Sequence, residues 1–334
     1  MKRFLDLADL ERDAVLDLLA LAARLQKHPE PHALAGRILG MVFFNPSLRT
    51  LASFQAGMAR LGGTSFVVTP GQGTWKLEHK LGAIMDGDRA EHVREGIPVL
   101  ASYCDVFGIR AFAEGTNLAF DLAETQFNAM AATVDKPLIN LESAVNHPCQ
   151  ALADWKTMDE LGVPQRGKFV LSWVKHPRAL PLAVPAATLH MAAMRGMDVT
   201  VLRPDGFALP EATMNKARLA AAASGGSVRE TDNRAEALRG AHVLYAKEWG
   251  STRHYGDAAG DAALRTQLGD WTVDESWFTN ADTECKFMHC LPVRRNVAVA
   301  DHVLDGPRSV VLREAHNRMP AQMAVLHRLL AHST

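Results

Sequence analysis

Cysteine is scarce in this chain: four in 334 residues, Cys104, Cys149, Cys285 and Cys290, with no C-x-x-C pair among them. That argues against a disulfide scaffold, which a chain of this size does not need, and suits a reducing, cytoplasmic compartment. Charge of one sign is also missing. Lys and Arg number 36 against 37 Asp and Glu, a formal net charge of -1, so no global field favours nucleic acid or an anionic membrane. Any anion site must be built locally. No apolar run reaches membrane length, and the charged, amphipathic start after Met1 has no apolar signal core with a small-residue cleavage site. No G-x-G-x-x-G follows a candidate strand with an acid about twenty residues on, which argues against a nicotinamide dehydrogenase. The histidines are scattered without ligand spacing, so no metal is expected, and no cofactor. Internal repeats and low-complexity segments are absent.

What is present is an alternation of apolar runs and amphipathic stretches. LADLERDAVLDLLALAARLQ has leucine and alanine at helical spacing, and KHPEPHALAG breaks it. RILGMVFF follows, a continuous apolar run suited to a parallel strand covered on both faces. Beyond the next loop, Leu51, Phe54, Met58 and Leu61 keep a helical period and Gly62-Gly63 stop it. TSFVVTP, CDVFGIRAF and KPLINLES repeat the strand signal. After the connecting helix HPCQALADWKTMDELG, a second series runs through KFVLSWV, DVTVLRP, SVRET, HVLYAKEW and KFMHCLP, with alanine-rich helices between. The pattern predicts an α/β protein with two doubly wound parallel-sheet domains, 1–149 and 150–315. The final helix PAQMAVLHRLLAH, within 316–334, is expected to return to the first domain.

The junction FFNPSLRTLASF places Ser47, Arg49 and Thr50 where a strand gives way to a helix. A helix N-terminus offers unpaired N–H groups and partial positive charge, so these residues suit a phosphate. Taken alone they fit an N-cap serine and a surface arginine better than a phosphate site. Other strand ends carry similar groups. Arg110 ends DVFGIR; His147 and Gln150 stand in NHPCQ, after the strand that holds Glu142; His176 and Arg178 follow LSWV; Lys247 ends HVLYAK; Cys290, Leu291 and Arg294 follow KFMH. Open α/β sheets bind ligands at the carboxyl ends of their strands, and polar clusters at six such ends mark a site there.

These residues also carry a resemblance. SLRT, NHPCQ and HCLPVRRN, in that order, resemble the Ser-x-Arg-Thr, His-Pro-x-Gln and His-Cys-Leu-Pro motifs of the ornithine and aspartate carbamoyltransferase family, matching from Phe43 to Arg318. The resemblance implies an active site in the cleft between the two domains. It implies that carbamoyl phosphate is bound by Ser47, Leu48, Arg49, Thr50, Arg110, His147, Pro148, Cys149, Gln150, Cys290, Leu291 and Arg318, with Trp75 contributed by a neighbouring subunit of a homotrimer. Thr50, Arg110 and His147 would hold the carbamoyl oxygen as catalytic donors. Two departures stand out: Leu51, where the family usually repeats an arginine, and Arg313, where relatives often have an acid or proline. A catalytically silent anion-binding protein on the same fold is the rival of another class.

Ordinary ornithine carbamoyltransferases carry an aspartate and a Ser-Met-Gly loop for the free α-amine, whereas AKEWG here places a cation, Lys247, at that strand end. GTWKLE, IMDGD, WVKHPR, YAKEWG and CLPVRRN resemble the N-acylornithine branch, which implies that the acylornithine meets Glu142, His176, Lys247, Arg294 and Ala90. Acetyl enzymes tend to carry glutamate at the position of Ala90 and lysine at that of Ala298; succinyl enzymes tend to have proline and an apolar residue. A carboxylate there would repel a succinyl carboxylate, so two alanines favour N-succinyl-L-ornithine over N-acetyl-L-ornithine. The expected pathway is arginine biosynthesis.

Overall fold

The structure, a computed structural model, describes residues 1–331; His332, the end of the expected final helix, lies outside the described residues. The chain divides into two compact units, one formed by 1–114, 119–149 and 318 onward, the other by 115–118 and 150–317. The return to the first unit thus falls two residues later than the sequence reading placed it. The reason is that one uninterrupted helix, Val311–Leu330, carries the chain through that point. Pro320, expected near a helix start, lies in its interior, where its absent N–H leaves one carbonyl of the preceding turn without its usual donor. Pro148–Glu160 likewise carries the chain from the first unit into the second.

The first unit holds β1 (Arg3–Phe4), β2 (Ile38–Phe43), β3 (Thr64–Val68), β4 (Leu77–Glu78), β5 (Glu91–His92), β6 (Val106–Arg110) and β7 (Leu138–Glu142). Five of them form an all-parallel sheet in the order β1-β7-β6-β2-β3, with Phe43 in register with Arg110. The apolar run of β2 buries five of its six residues, and β6 and β7 are buried throughout, as expected for strands covered on both sides. From β2 the chain first moves to β3 and then returns to the other side of β2 at β6. The strand order therefore reverses between β2 and β6, the topological position at which open sheets bind ligands. β4 and β5 form a separate parallel pair that gathers the 79–90 segment, with Arg89 hydrogen-bonded back to the Leu77 carbonyl at 3.3 Å.

The second unit holds β8 (Lys168–Trp173), β9 (Asp198–Leu202), β10 (Ser227–Thr231), β11 (Val243–Lys247) and β12 (Lys286–Met288), again all parallel, in the order β10-β9-β8-β11-β12. Here the order reverses between β8 and β11. The nine strands read from the sequence all form. β12 is shorter than KFMHCLP, because the His289 N–H donates to the Glu314 carboxylate at 2.9 Å rather than to a neighbouring strand. The two-residue strands β1, β4 and β5 are additions. In the first helix, Leu7–Asp9 is a separate 3-10 turn capped by Asp6, and the α-helix begins at Arg12.

Candidate active site

In the first unit the groups gather at the switch point between β2 and β6. β2 runs out at Phe43, and Ser47 caps the helix Leu48–Arg60, its Oγ accepting from the Thr50 N–H at 3.2 Å. The N–H groups of the first turn are thus presented in the loop that follows β2. Leu48 is 80% exposed, so its contribution there is its backbone. Thr50 is fully buried, and its Oγ1 accepts from Arg318 Nη2 at 2.6 Å. That contact is possible because the helix Leu48–Arg60 and the last helix lie close: a Cβ on Gly57 would sit 3.1 Å from Met323 Cγ.

Arg110, the last residue of β6, donates through Nε to the Asn45 carbonyl at 3.1 Å, pairs with Glu142 of β7, and lies over the Phe112 ring at 4.5 Å. Glu142 is also 3.4 Å from His147 Nε2. Burial, then the charges of Arg318, Arg110 and Arg49, hold His147 well below its ordinary pKa, so its imidazole is neutral. Three guanidiniums therefore lie within electrostatic reach of one ring. Arg318 is itself buried, and its pKa is lowered by burial and by Arg110 and Arg49, with Cys149 and Glu142 opposing. His147 Nδ1 and Arg318 Nε are buried polar atoms with no hydrogen-bond partner among the described residues. Such atoms are costly unless something polar meets them, and a phosphate or carbamoyl oxygen would. Cys149, next to Pro148 at the start of its helix, is a packed thiol pushed up to about 12 by burial.

Trp75 and Ala90 lie in the segment around β4 and β5. Trp75 is 61% exposed and donates through Nε1 to Glu91 at 2.8 Å; Ala90 is exposed one residue before Glu91. Leu81, Ile84 and Met85 are exposed in the same segment. Arg89 borders a cavity of about 280 Å³ together with Asn45, Lys76, His79 and Phe112. The structure thus places Ser47, Arg49, Thr50, Arg110, Glu142, His147 and Arg318 together, while Trp75 is bonded to none of them and lies exposed against Glu91.

In the second unit the switch point lies between β8 and β11. Lys247 ends β11 and its Nζ is 3.0 Å from the carboxylate of Glu248. Burial pushes that carboxylate's pKa up, but Lys247 and His289 outweigh it and hold Glu248 far below the usual range. His289 Nδ1 accepts from the Leu291 N–H at 3.0 Å, which assigns the ring proton to Nε2, 3.2 Å from Glu248. Glu248 and His289 thus fix the backbone of Leu291. Leu291 has φ 56°, an uncommon conformation for a bulky residue, of the kind that surrounding contacts must impose. The Cys290 thiol is buried and pushed up to about 12, a packed residue rather than a thiolate nucleophile. His176, after β8, is hydrogen-bonded through Nδ1 to the Arg178 backbone. Burial lowers its pKa; Glu248 raises it, and Lys247 and Arg294 lower it, which places all three near the ring. Gln150 donates to Asp154 at 2.7 Å.

Sequence reasoning missed Glu248, His289, Asp154 and Glu314. Three of them had a signal: Glu248 and His289 adjoin Lys247 and Cys290, and Asp154 lies one helical turn after Gln150. Arg313, unexplained in the sequence, pairs with Glu160 at 3.3 Å.

Comparison with known proteins follows the same division. Residues 2–160 match the carbamoyl-P binding domain of the aspartate/ornithine carbamoyltransferases, and residues 184–329 match their Asp/Orn binding domain. The chain is 38% identical to an N-acetylornithine carbamoyltransferase of Xanthomonas campestris, covering 100% of this chain and 99% of that protein. It is 37% identical to an N-succinylornithine carbamoyltransferase of Bacteroides thetaiotaomicron, covering 99% of both. A crystal structure of acetylornithine transcarbamylase with acetylcitrulline superposes with a TM-score of 0.94 at 37% identity, covering 98% of this chain and 99% of that one. A glutamate-to-alanine variant of N-acetyl-L-ornithine transcarbamylase, solved with carbamyl phosphate and N-succinyl-L-norvaline, gives the same score at 38% identity, covering 99% and 100%. On matches that span nearly its whole length, the chain belongs to the aspartate/ornithine carbamoyltransferase family, in the branch that carbamoylates N-acylated ornithine.

Proposed function

We propose that this enzyme transfers the carbamoyl group of carbamoyl phosphate to the side-chain amine of N-succinyl-L-ornithine, giving N-succinyl-L-citrulline and phosphate, as a step of arginine biosynthesis. The observation that carries the succinyl reading is the pair of alanines at 90 and 298, where the acetyl enzymes tend to carry glutamate and lysine. Variants of an N-acetyl-L-ornithine transcarbamylase in which one glutamate is replaced by alanine, proline, serine or valine are solved with N-succinyl-L-norvaline, which supports the same logic. Arg89 beside Ala90 adds a cation near the place where an extra carboxylate would arrive.

In this reading the phosphate lies on the first-turn N–H groups of residues 48–50 with Ser47, Arg49 and Arg318 around it. Trp75 would reach the phosphate from a neighbouring copy. Thr50, Arg110 and neutral His147 donate to the carbamoyl oxygen, where negative charge develops on attack. Gln150 and the Cys290 and Leu291 backbone hold the carbamoyl NH2. Lys247, His176 and Arg294 receive the acylornithine, with Glu142 completing the set. The amine, whose free pKa is about 10.4, must attack as the neutral base. Its nitrogen bonds to the carbamoyl carbon, the carbon–oxygen bond to phosphate breaks, and the departing phosphate takes the amine proton. With Cys290 thiol-bound to its proton and packed, no covalent enzyme intermediate is invoked.

The test is citrulline-derivative formation from carbamoyl phosphate with N-succinyl-, N-acetyl- and free ornithine in parallel. The succinyl substrate is expected to have the highest kcat/KM and free ornithine to be inert. Preference for the acetyl substrate would reject the reading of Ala90 while leaving the chemistry in place.

A further inference from the structure

The second unit buries two acids that the reaction above does not use. Asp154 lies one turn after Gln150 on the helix Pro148–Glu160, and Glu314 lies in the first turn of the helix Val311–Leu330; neither side chain reaches solvent. Gln150 Nε2 donates to Asp154 Oδ1 at 2.7 Å and to Glu314 Oε1 at 3.3 Å. Glu314 Oε2 accepts the His289 N–H at 2.9 Å, so the two buried carboxyl groups meet on a single amide nitrogen, that of Gln150. Two carboxylates buried on one amide nitrogen repel each other, and a proton on one of them relieves that repulsion. The ionisable groups around them include Tyr245 and Cys290, with the Lys247, Glu248 and His289 cluster beyond.

We propose that Asp154 and Glu314 share one proton at neutral pH, and that this acid–carboxylate pair positions Gln150 and the Cys290–Leu291 backbone for the carbamoyl group. The proposal rests on the reading above that these groups hold the carbamoyl NH2. One carboxyl pair reaches two separate parts of that subsite: the amide of Gln150 directly, and the strained Leu291 through His289, whose backbone N–H it holds and whose Nδ1 accepts the Leu291 N–H. The proton belongs on Glu314 Oε1, because Oε2 accepts the His289 N–H at 2.9 Å while the Gln150 amide lies 3.3 Å from Oε1 and bonds more closely to Asp154, at 2.7 Å. Asp154 then stays ionised and orients Gln150 Nε2, which leaves the Gln150 carbonyl oxygen, a buried acceptor with no partner among the described residues, for a substrate N–H. Burial, then the Asp154 charge, pushes the Glu314 pKa well above its ordinary value.

The sign of the linkage follows. A raised pKa in the folded state gives stability that is whole below the ordinary carboxyl range and is lost as pH rises toward the raised value. Glu314→Gln keeps the shape and an acceptor for His289, and does not titrate. The experiment is thermal melting of the full-length enzyme and this variant from pH 5.5 to 8.5, with kinetics of Glu314→Gln and Glu314→Ala. The wild type is expected to lose more melting temperature than Glu314→Gln over that range, by about 3 °C or more. Glu314→Ala is expected to lose about 100-fold in kcat, with KM for the acylornithine changed less than about threefold, and Glu314→Gln to recover most of that loss. Equal pH dependence of wild type and Glu314→Gln would overturn the shared proton, as would a Glu314→Gln enzyme as slow as a folded Glu314→Ala. Should Glu314→Ala not fold, the melting comparison still decides. It also stands if the acylornithine assignment fails, since it reads the proton and not the substrate.

Discussion

His147 shows how a single residue is set by its surroundings. An exposed histidine titrates near 6.5, but burial and three arginines keep this one neutral. Its folded-state pKa is depressed, so it contributes stability that is present above 6.5 and lost as pH falls through the folded value. His147→Asn should therefore lose less melting temperature than the wild type between pH 7.5 and 5.5 in phosphate-free buffer, although His176, depressed in the same direction, keeps part of the acid sensitivity. An equal loss in both proteins would show that His147 is protonated in the folded enzyme. At this scale the sequence was legible where a residue's type and place in a motif declare its chemistry, as in Ser47, Arg49 and Arg110. Glu248–His289 and Gln150–Glu314 were not, because the pairing joins residues 41 and 164 positions apart and their charges matter only once burial removes water.

The elements were legible where one physical signal dominates. Apolar runs marked most of the nine strands read from the sequence, SVRET with Val228 alone being the exception, and the Phe54, Met58 and Leu61 period with Gly62 marked the helix Leu48–Arg60. The two-residue strands carry too few residues for any period, and Pro320 misled because a proline signals a helix start more often than an interior position that tertiary packing overrides. Gly62 gives a test of the helix stop. It has φ 87°, and a Cβ there would lie 2.2 Å from the Pro31 carbonyl oxygen, whereas Gly36, with φ 76°, has open space. Gly62→Ala should lower the free energy of urea unfolding by about 3 kcal/mol or more, from strain and clash together, and Gly36→Ala by about 1 kcal/mol from strain alone. Equal losses would mean that the 31–32 turn simply moves aside.

For the whole molecule, sharing of sites between copies is the sharpest expectation. Trp75 is exposed, as are Leu81, Ile84 and Met85 in the segment that follows it, and it bonds to none of the residues it is expected to serve. Chains carrying Trp75→Ala and chains carrying Arg49→Ala should each lose activity. Mixing them after reversible dissociation should restore a fraction of it, because some sites then combine an intact Trp75 from one chain with an intact Arg49 from another. No recovery in mixed oligomers would mean that each site is complete within one chain. The division into units was legible in the repeated strand–helix alternation, while its point of return was hidden inside a continuous helix.

That return gives the first unit an unusual relation to protein synthesis. Thr50 is made early and the arginine that holds its hydroxyl comes 268 residues later. A ribosome adding roughly 5–20 residues per second needs tens of seconds to bridge that interval. Throughout it the β2–β6 sheet can form, but the pocket at its edge lacks one of its three guanidiniums, and the Gly57 surface lacks the helix that covers it. The nascent protein therefore completes the arginine cluster around Thr50 and His147 only near the end of translation, and a chain cut short before residue 318 is expected to fold most of both sheets yet to lack that cluster's last member.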